Sequence, residues 1–225
     1  MKQSPDSLIA ALQEVAGVTT AKADGPDDDF QKLGVNPGRV FKVAKQFTDL
    51  TASDLEYLLE SPIYEVRLAA VSVMDFQARA KRTSDAQRES IYELYIRRHD
   101  RINSWDLVDR AAPYVVGGYL ADRPRDVLDG LARSASPWER RTAIVATYYF
   151  IRMDEVEDTF RIAEALVHDD HRFVQTAVGS WVREAGKRDL DRLLRFLDDF
   201  AGSMPRTMLR YATEKLDPET RARYR

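Results

Sequence analysis

The chain has 225 residues, a charged fraction of 32% and a formal net charge of only -3, so acids and bases are interleaved and the total does not imply a general polyanion binder. The absence of cysteine excludes disulfides, thiolate metal sites and a cysteine nucleophile, and suits a reducing compartment. No apolar run reaches membrane-spanning length and Met1 to Thr20 lacks a basic-then-apolar signal layout, so the expectation is a cytoplasmic protein away from the membrane.

Almost every segment carries the helical period, and alternating runs bounded by Asn-Gly or Asp-Gly turns are missing, so the predicted fold is all-α. A first helix is followed by a polar loop, Ala21 to Gly34, that contains Gly25-Pro26 and Asp27 to Asp29. Helix starts are predicted at Ser53-x-x-Glu56, at Ser84-x-x-Gln87 and at Asn103, which caps the helix of Trp105 and Asp109. Further starts are Ser136-Pro137-Trp138-Glu139, with serine as cap, proline in the first turn and glutamate reaching back, and Asp217-Pro218-Glu219. Polar breaks fall near Asp49-Leu50-Thr51, Ser61-Pro62, Lys81-Arg-Thr83, Asp122-Arg-Pro124 and Asp169-Asp170. The stretch Ala143 to Ile151 is apolar on nearly all sides and predicts a central helix sandwiched between neighbours.

Helix pairs recurring at about forty residues are the pattern of a HEAT or armadillo α-solenoid, which offers a concave face for binding. The chain is read as a single such domain over residues 1–225, with the N-terminal helix and polar loop in 1–33 and the repeat body in 34–225. A compact irregular bundle is the alternative architecture.

Trp105 and Asp109 stand four residues apart, which puts an indole and a carboxylate on one helical face. Such a face suits a planar or cationic ligand; alternatively Trp105 packs inward and Asp106 and Asp109 favour the positive helix end. Arg141, one turn after Trp138, is either the ion-pair partner of a nearby acid or a bidentate phosphate clamp. His168-Asp169-Asp170-His171 has metal-ligand residue types, but it lies at a helix boundary, where Asp170 serves as cap and His168 as C-terminal charge; no metal is expected. No His-Glu-x-x-His pattern, glycine-rich phosphate loop or Gly-x-Ser-x-Gly elbow is present. Arg183, Lys187 and Arg188 follow Trp181, and Arg206, Arg210 and Lys215 punctuate the last long helix; they form either solvated faces or a basic groove. Residues 1 to 60 carry six bases against ten acids, so the acidity is concentrated at the N-terminus.

Four segments, in order and at compatible spacing, resemble the alkylpurine DNA glycosylases of the AlkD type. They are Ile102-Asn-Ser-Trp-Asp-Leu-Val-Asp109, Trp138-Glu-Arg-Arg-Thr-Ala-Ile144, Ala177-Val-Gly179 with Arg183 to Asp189, and Met204-Pro-Arg-Thr-Met-Leu-Arg-Tyr-Ala212 with Glu214-Lys215. Gly34-Val-Asn-Pro37 and Ser61 to Ala69 resemble that family's earlier segments, so the likeness spans most of residues 34 to 225.

The resemblance implies a HEAT-like solenoid whose concave basic face holds duplex DNA. It also implies hydrolytic removal of purines alkylated at ring nitrogens, such as 3-alkyladenine and 7-alkylguanine, by a monomer with no cofactor. On this likeness Asp109 is the catalytic carboxylate, Trp105 the aromatic beside it, Arg141 the phosphate contact near the lesion and Arg183 a DNA-facing base. Lys187, Arg188, Arg206 and Arg210 are read as further DNA-binding positions. The family's tryptophan directly after Val-Gly is replaced here by Ser180, with Trp181 one residue later. A helical step turns a side chain by about 100°, so Trp181 takes that catalytic-site role only if the local backbone shifts. Two other functions fit the same pattern: a noncatalytic DNA-structure binder, and a protein-interaction solenoid.

Overall fold

The computed structural model describes residues 3–16 and 31–224, and among them every regular element is helical, as the sequence predicts. An isolated bridge pairs Gln31 with Ile63. The expected polar loop lies, up to residue 30, outside the described residues. The five predicted breaks all separate helices. Contacts divide the chain into two compact units, Met1–Tyr119 and Leu120–Arg225.

The first unit contains α1 (Pro5–Ala16), α2 (Pro37–Ala44), α3 (Ala52–Leu59), α4 (Tyr64–Arg79), α5 (Asp85–Arg97), a 3-10 turn (His99–Arg101), α6 (Trp105–Ala112) and a π turn (Pro113–Gly117). Its central element is α4, buried along nearly its whole length and packed against α2, α3, α5 and α6. Polar groups on a helix buried on all sides call for partners inside the protein, and Glu65 and Ser72 of α4 find theirs in the preceding loop and in α4 itself. The Glu65 carboxylate accepts the backbone N–H groups of Leu33 (2.9 Å), Gly34 (2.8 Å) and Val35 (3.1 Å). Gly34 has φ +76°, the left-handed region where glycine carries no steric penalty, and this turn aims the three donors at one acid. Ser72 Oγ donates back to the Leu68 carbonyl at 2.6 Å.

The second unit contains α7 (Val127–Ala132), α8 (Pro137–Ala146), α9 (Tyr148–Ile151), α10 (Glu157–Ala165), α11 (Arg172–Gly186), α12 (Leu190–Phe200), α13 (Arg206–Ala212) and α14 (Pro218–Ala222). The single helix expected over Ala143 to Ile151 is divided at Thr147, whose hydroxyl donates to the Ile144 carbonyl at 2.7 Å. Such back-bonding competes with the helical ladder and bends it. Residues 143 to 146 are nonetheless fully buried, and α8 is packed against α7, α10 and α11. The helices α11 and α13 approach closely at Gly179: a Cβ there would stand 2.5 Å from the Met208 carbonyl oxygen and 2.7 Å from Tyr211 Cβ.

Caps show which local signals prevail. Ser84 with Gln87 forms the predicted reciprocal capping box, and Asp217 caps α14 by accepting from Glu219 and Thr220. At α3 the box is instead Thr51 with Asp54, two residues ahead of the predicted Ser53. Ser136 occupies the N-cap of α8 with Pro137 following, but its side chain makes no cap bond.

Asp158 illustrates how charge supports the second unit. Its carboxylate takes Arg125 and Arg161, each at 2.6 Å. Burial works to raise its pKa, but the two guanidiniums prevail and hold it below the usual carboxylate value. A depressed carboxyl contributes stability that is present above its unfolded pKa and lost as pH falls through the folded one. Asp158→Asn is therefore expected to cost about 2 kcal/mol in urea unfolding at neutral pH. The gap to the parent should close as pH falls below the ordinary carboxylate range, and a gap that persists into acid contradicts the assignment.

Candidate functional site

The eight residues of α6 sort by side. Leu107, Val108, Ala111 and Ala112 are buried, while Trp105, Asp106, Asp109 and Arg110 lie on the opposite side. At 100° per residue, the polar side has two edges: Trp105 with Asp109, and Asp106 with Arg110. Trp105 is 39% exposed, so the inward packing that was the alternative for this tryptophan does not occur. Asp109 is half-buried beside it on the same edge.

The second edge is held by α4. The Tyr64 hydroxyl donates to Asp106 Oδ2, while Asp106 Oδ1 accepts from Ser104 Oγ (2.6 Å) and the Leu107 N–H (2.9 Å). Four residues on, Arg110 Nη1 meets Asp75 Oδ2 at 2.7 Å and Arg110 Nε donates to Ser72 Oγ at 3.0 Å. The same guanidinium lies over the rings of Phe41 (4.6 Å) and Phe76 (4.7 Å). Asp75 is fully buried and also takes Arg79 Nε at 2.7 Å; burial pushes its carboxyl up against the pull of Arg110 and Arg79.

The expected Asn103 cap is not formed. Ser104 occupies the N-cap position, because Asn103 Oδ1 accepts from Arg67 Nη1 at 3.0 Å. Arg67 is itself buried, and burial, with Arg101 nearby, lowers its pKa to about 10, which leaves it cationic at neutral pH. Tyr64, Asp75 and Arg110 receive no role in the sequence reading. The available signal was an acid at position 75 inside a run of apolar positions.

In the second unit Arg141 is 6% exposed and its Nη1 donates to the Phe173 carbonyl, so α8 is tied to the first turn of α11. Trp138 packs on His171 (centroids 5.4 Å) and Phe173 (5.8 Å). Asp169, rather than Asp170, receives the His171 N–H, and it pairs with Arg140 at 2.6 Å. Among the described residues no group of three or more His, Asp or Glu is arranged to hold a metal ion.

The helix α11 runs unbroken through Gly179, Ser180 and Trp181, so no backbone shift brings Trp181 into the position of Ser180. The Trp181 indole stacks on Tyr148 (4.9 Å, 23°), and its Nε1 is buried with no hydrogen-bond partner among the described residues.

The basic cluster is largely self-paired. Arg183 meets both Glu214 and Glu184, Lys187 meets Glu184 at 2.7 Å, and Arg188 meets Asp154 at 3.2 Å. Burial raises the pKa of Glu184, but Lys187 and Arg183 outweigh it and hold the carboxyl below its usual value. Arg206 and Arg210 are exposed and make no ion pair among the described residues; Arg210 lies over the Tyr211 ring at 4.6 Å.

A family model described as DNA alkylation repair enzyme matches residues 10–216, nearly the whole chain. The chain belongs to the DNA alkylation repair enzyme family. This places it in enzymatic DNA repair, with DNA as its partner. Among solved structures it is similar to one described as a predicted DNA alkylation repair enzyme from Enterococcus faecalis, at TM-score 0.66 and 14% identity over 97% of this chain and 99% of that one. At that identity the likeness shows a shared helical fold. No curated protein matches. Within this family member no described helix is long and apolar enough to cross a membrane.

Proposed function

We propose that the chain is a monofunctional, cofactor-independent DNA glycosylase that acts as a monomer on cationic alkylpurines, 3-alkyladenine and 7-alkylguanine, in duplex DNA. The observation that carries this reading is the shared edge of α6 on which the half-buried Asp109 carboxylate stands one turn from the exposed indole of Trp105.

The chemistry requires little beyond this pair. An alkylated purine already bears positive charge; when its bond to C1′ breaks, the electron pair goes to the base, which leaves neutral without a general acid. Positive charge develops instead on the deoxyribose, and the Asp109 carboxylate stabilises it electrostatically. Water then adds to C1′, with Asp109 orienting it and taking its proton, which yields a free base and an abasic site. The Trp105 face adds cation-π attraction to the same charge.

Arg141 is assigned the phosphate contact near the lesion, made by a guanidinium already anchored on the α11 backbone. Arg183, Lys187, Arg188, Arg206 and Arg210 are assigned to the DNA backbone. Trp181, stacked on Tyr148 and one helical step from Ser180 in an unbroken α11, is given no part in the reaction.

Incubation with methylated duplex DNA tests the class: release of free 3-methyladenine or 7-methylguanine is the expected result. A second reading, a noncatalytic binder of DNA structure, is favoured by the unbroken α11, which leaves Ser180 where the resembling family has tryptophan. Duplex or branched DNA binding with steep salt dependence and no base release would establish that reading instead.

A further inference from the structure

We infer that Tyr64 and Asp75 of α4 are positioning residues for Asp109: by holding Asp106 and Arg110, one edge of α6, they set the rotation of the other edge, which carries Trp105 and Asp109. This rests on the glycosylase reading above.

The helix gains from such a restraint, because the side it packs on is small. Only eight residues long, α6 buries two larger apolar side chains, Leu107 and Val108, and two alanines. Small side chains interlock weakly with a neighbour, and a helix carrying them can turn about its axis at little packing cost. At its start the Ser104 side chain makes no cap bond to the helix backbone. At its end the chain passes through Pro113 into a π turn, with the Gly118 N–H donating to the Pro113 carbonyl at 3.1 Å. A π turn is wound differently from an α-helix, so the following residues do not impose α-helical phase on α6.

The two holds from α4 meet α6 at Asp106 and Arg110, one turn apart on a single edge. The second is strongly constrained, with the Arg110 guanidinium bonded to Asp75 and Ser72 and placed over two phenylalanine rings. A carboxylate stands about 6 Å from a helix axis, so a rotation of about 20° displaces it by about 2 Å. Misplacement of a reacting group by about 1 Å can cost on the order of 100-fold in rate. The holds therefore act where a small angular error has a large kinetic effect.

The test uses Tyr64→Phe, which removes a single oxygen, together with Asp75→Asn, alone and combined with Asp109→Asn. Single-turnover release of 7-methylguanine from methylated duplex and the duplex Kd are both measured. Each α4 variant is expected to slow release about 10-fold with Kd within about twofold of the parent, a loss confined to the chemical step. In the Asp109→Asn background neither change should slow release further, because the group being positioned is already gone. If Asp75→Asn does not fold, Tyr64→Phe carries the test. Parent-like rates in Tyr64→Phe, or losses that multiply with Asp109→Asn, overturn the inference while leaving the glycosylase reading standing. Absence of base release by the parent overturns that reading and the inference with it.

Discussion

Asp109→Asn is expected to slow the release of 7-methylguanine from duplex DNA by about 100- to 1,000-fold, the scale on which loss of a preorganised electrostatic group acts. The substitution is nearly isosteric and exchanges a charge for a dipole, so α6 should keep its position and the loss should fall on the chemical step. Duplex affinity should not weaken, because removing a negative charge next to a polyanion does not cost binding energy. Single-turnover assays at saturating protein separate these quantities. Release by the variant as fast as by the parent would remove Asp109 from the mechanism.

The second large effect concerns the fold. In an ordinary helix interior, glycine to alanine stabilises by about 1 kcal/mol, because glycine loses the most backbone freedom on folding. At Gly179 the sign should reverse. A methyl group there would stand 2.5 Å from the Met208 carbonyl oxygen, a backbone atom that can move only if α13 moves. Forcing such a gap costs about 1–3 kcal/mol, so Gly179→Ala should lower the melting temperature by several degrees. Gly130, in α7, has nothing within 4 Å of the corresponding point, and Gly130→Ala should be neutral or stabilising. Equal behaviour of the two variants in thermal unfolding would show that the α11–α13 approach does not depend on the glycine.

This reading gives the Ala177-Val-Gly179 motif a physical content that its sequence lacks. The glycine permits two helices to approach, and its partner segment is Met208 to Tyr211, inside another motif that the resemblance singles out. Sequence order alone shows two recurring segments without showing that one exists to receive the other.

The helical class and the breaks were legible because they depend on short-range pattern: period, proline, and clusters of small polar residues. Where two local signals overlap, the sequence does not rank them. Thr51-Ala-Ser-Asp-Leu-Glu56 holds two interleaved capping boxes, and the structure uses Thr51 with Asp54 rather than Ser53 with Glu56. Asn103 and Ser104 are both good caps, and the choice is made 36 residues away by Arg67, which engages Asn103. At Thr147 an apolar helix is divided by a hydroxyl, in a run where composition alone predicts continuity.

The candidate site follows the same division. Trp105 and Asp109 are four residues apart, so their shared edge is a consequence of helical geometry. That the next edge, Asp106 with Arg110, is held from α4 is not visible in that spacing, because the Tyr64 hydroxyl that meets Asp106 is 42 residues distant in sequence. The basic residues after Trp181 gave the opposite lesson. They are visible as a cluster in the chain, but the compensation of Arg183 by Glu214 spans 31 residues and exists only in the folded unit.

That compensation changes what salt does to DNA binding. A phosphate arriving at an exposed cation such as Arg206, which makes no ion pair among the described residues, would displace mobile anions at the protein and free condensed cations from the duplex, with a gain in dilution entropy. If Arg183 and Lys187 meet phosphates as proposed, the anion each gives up is Glu214 or Glu184, which stays attached to the protein. Each such carboxylate retains a counterion near the complex. On the proposed DNA contacts the chain carries part of its ionic atmosphere covalently, and its affinity for DNA is expected to fall with ionic strength less steeply than its number of basic side chains implies.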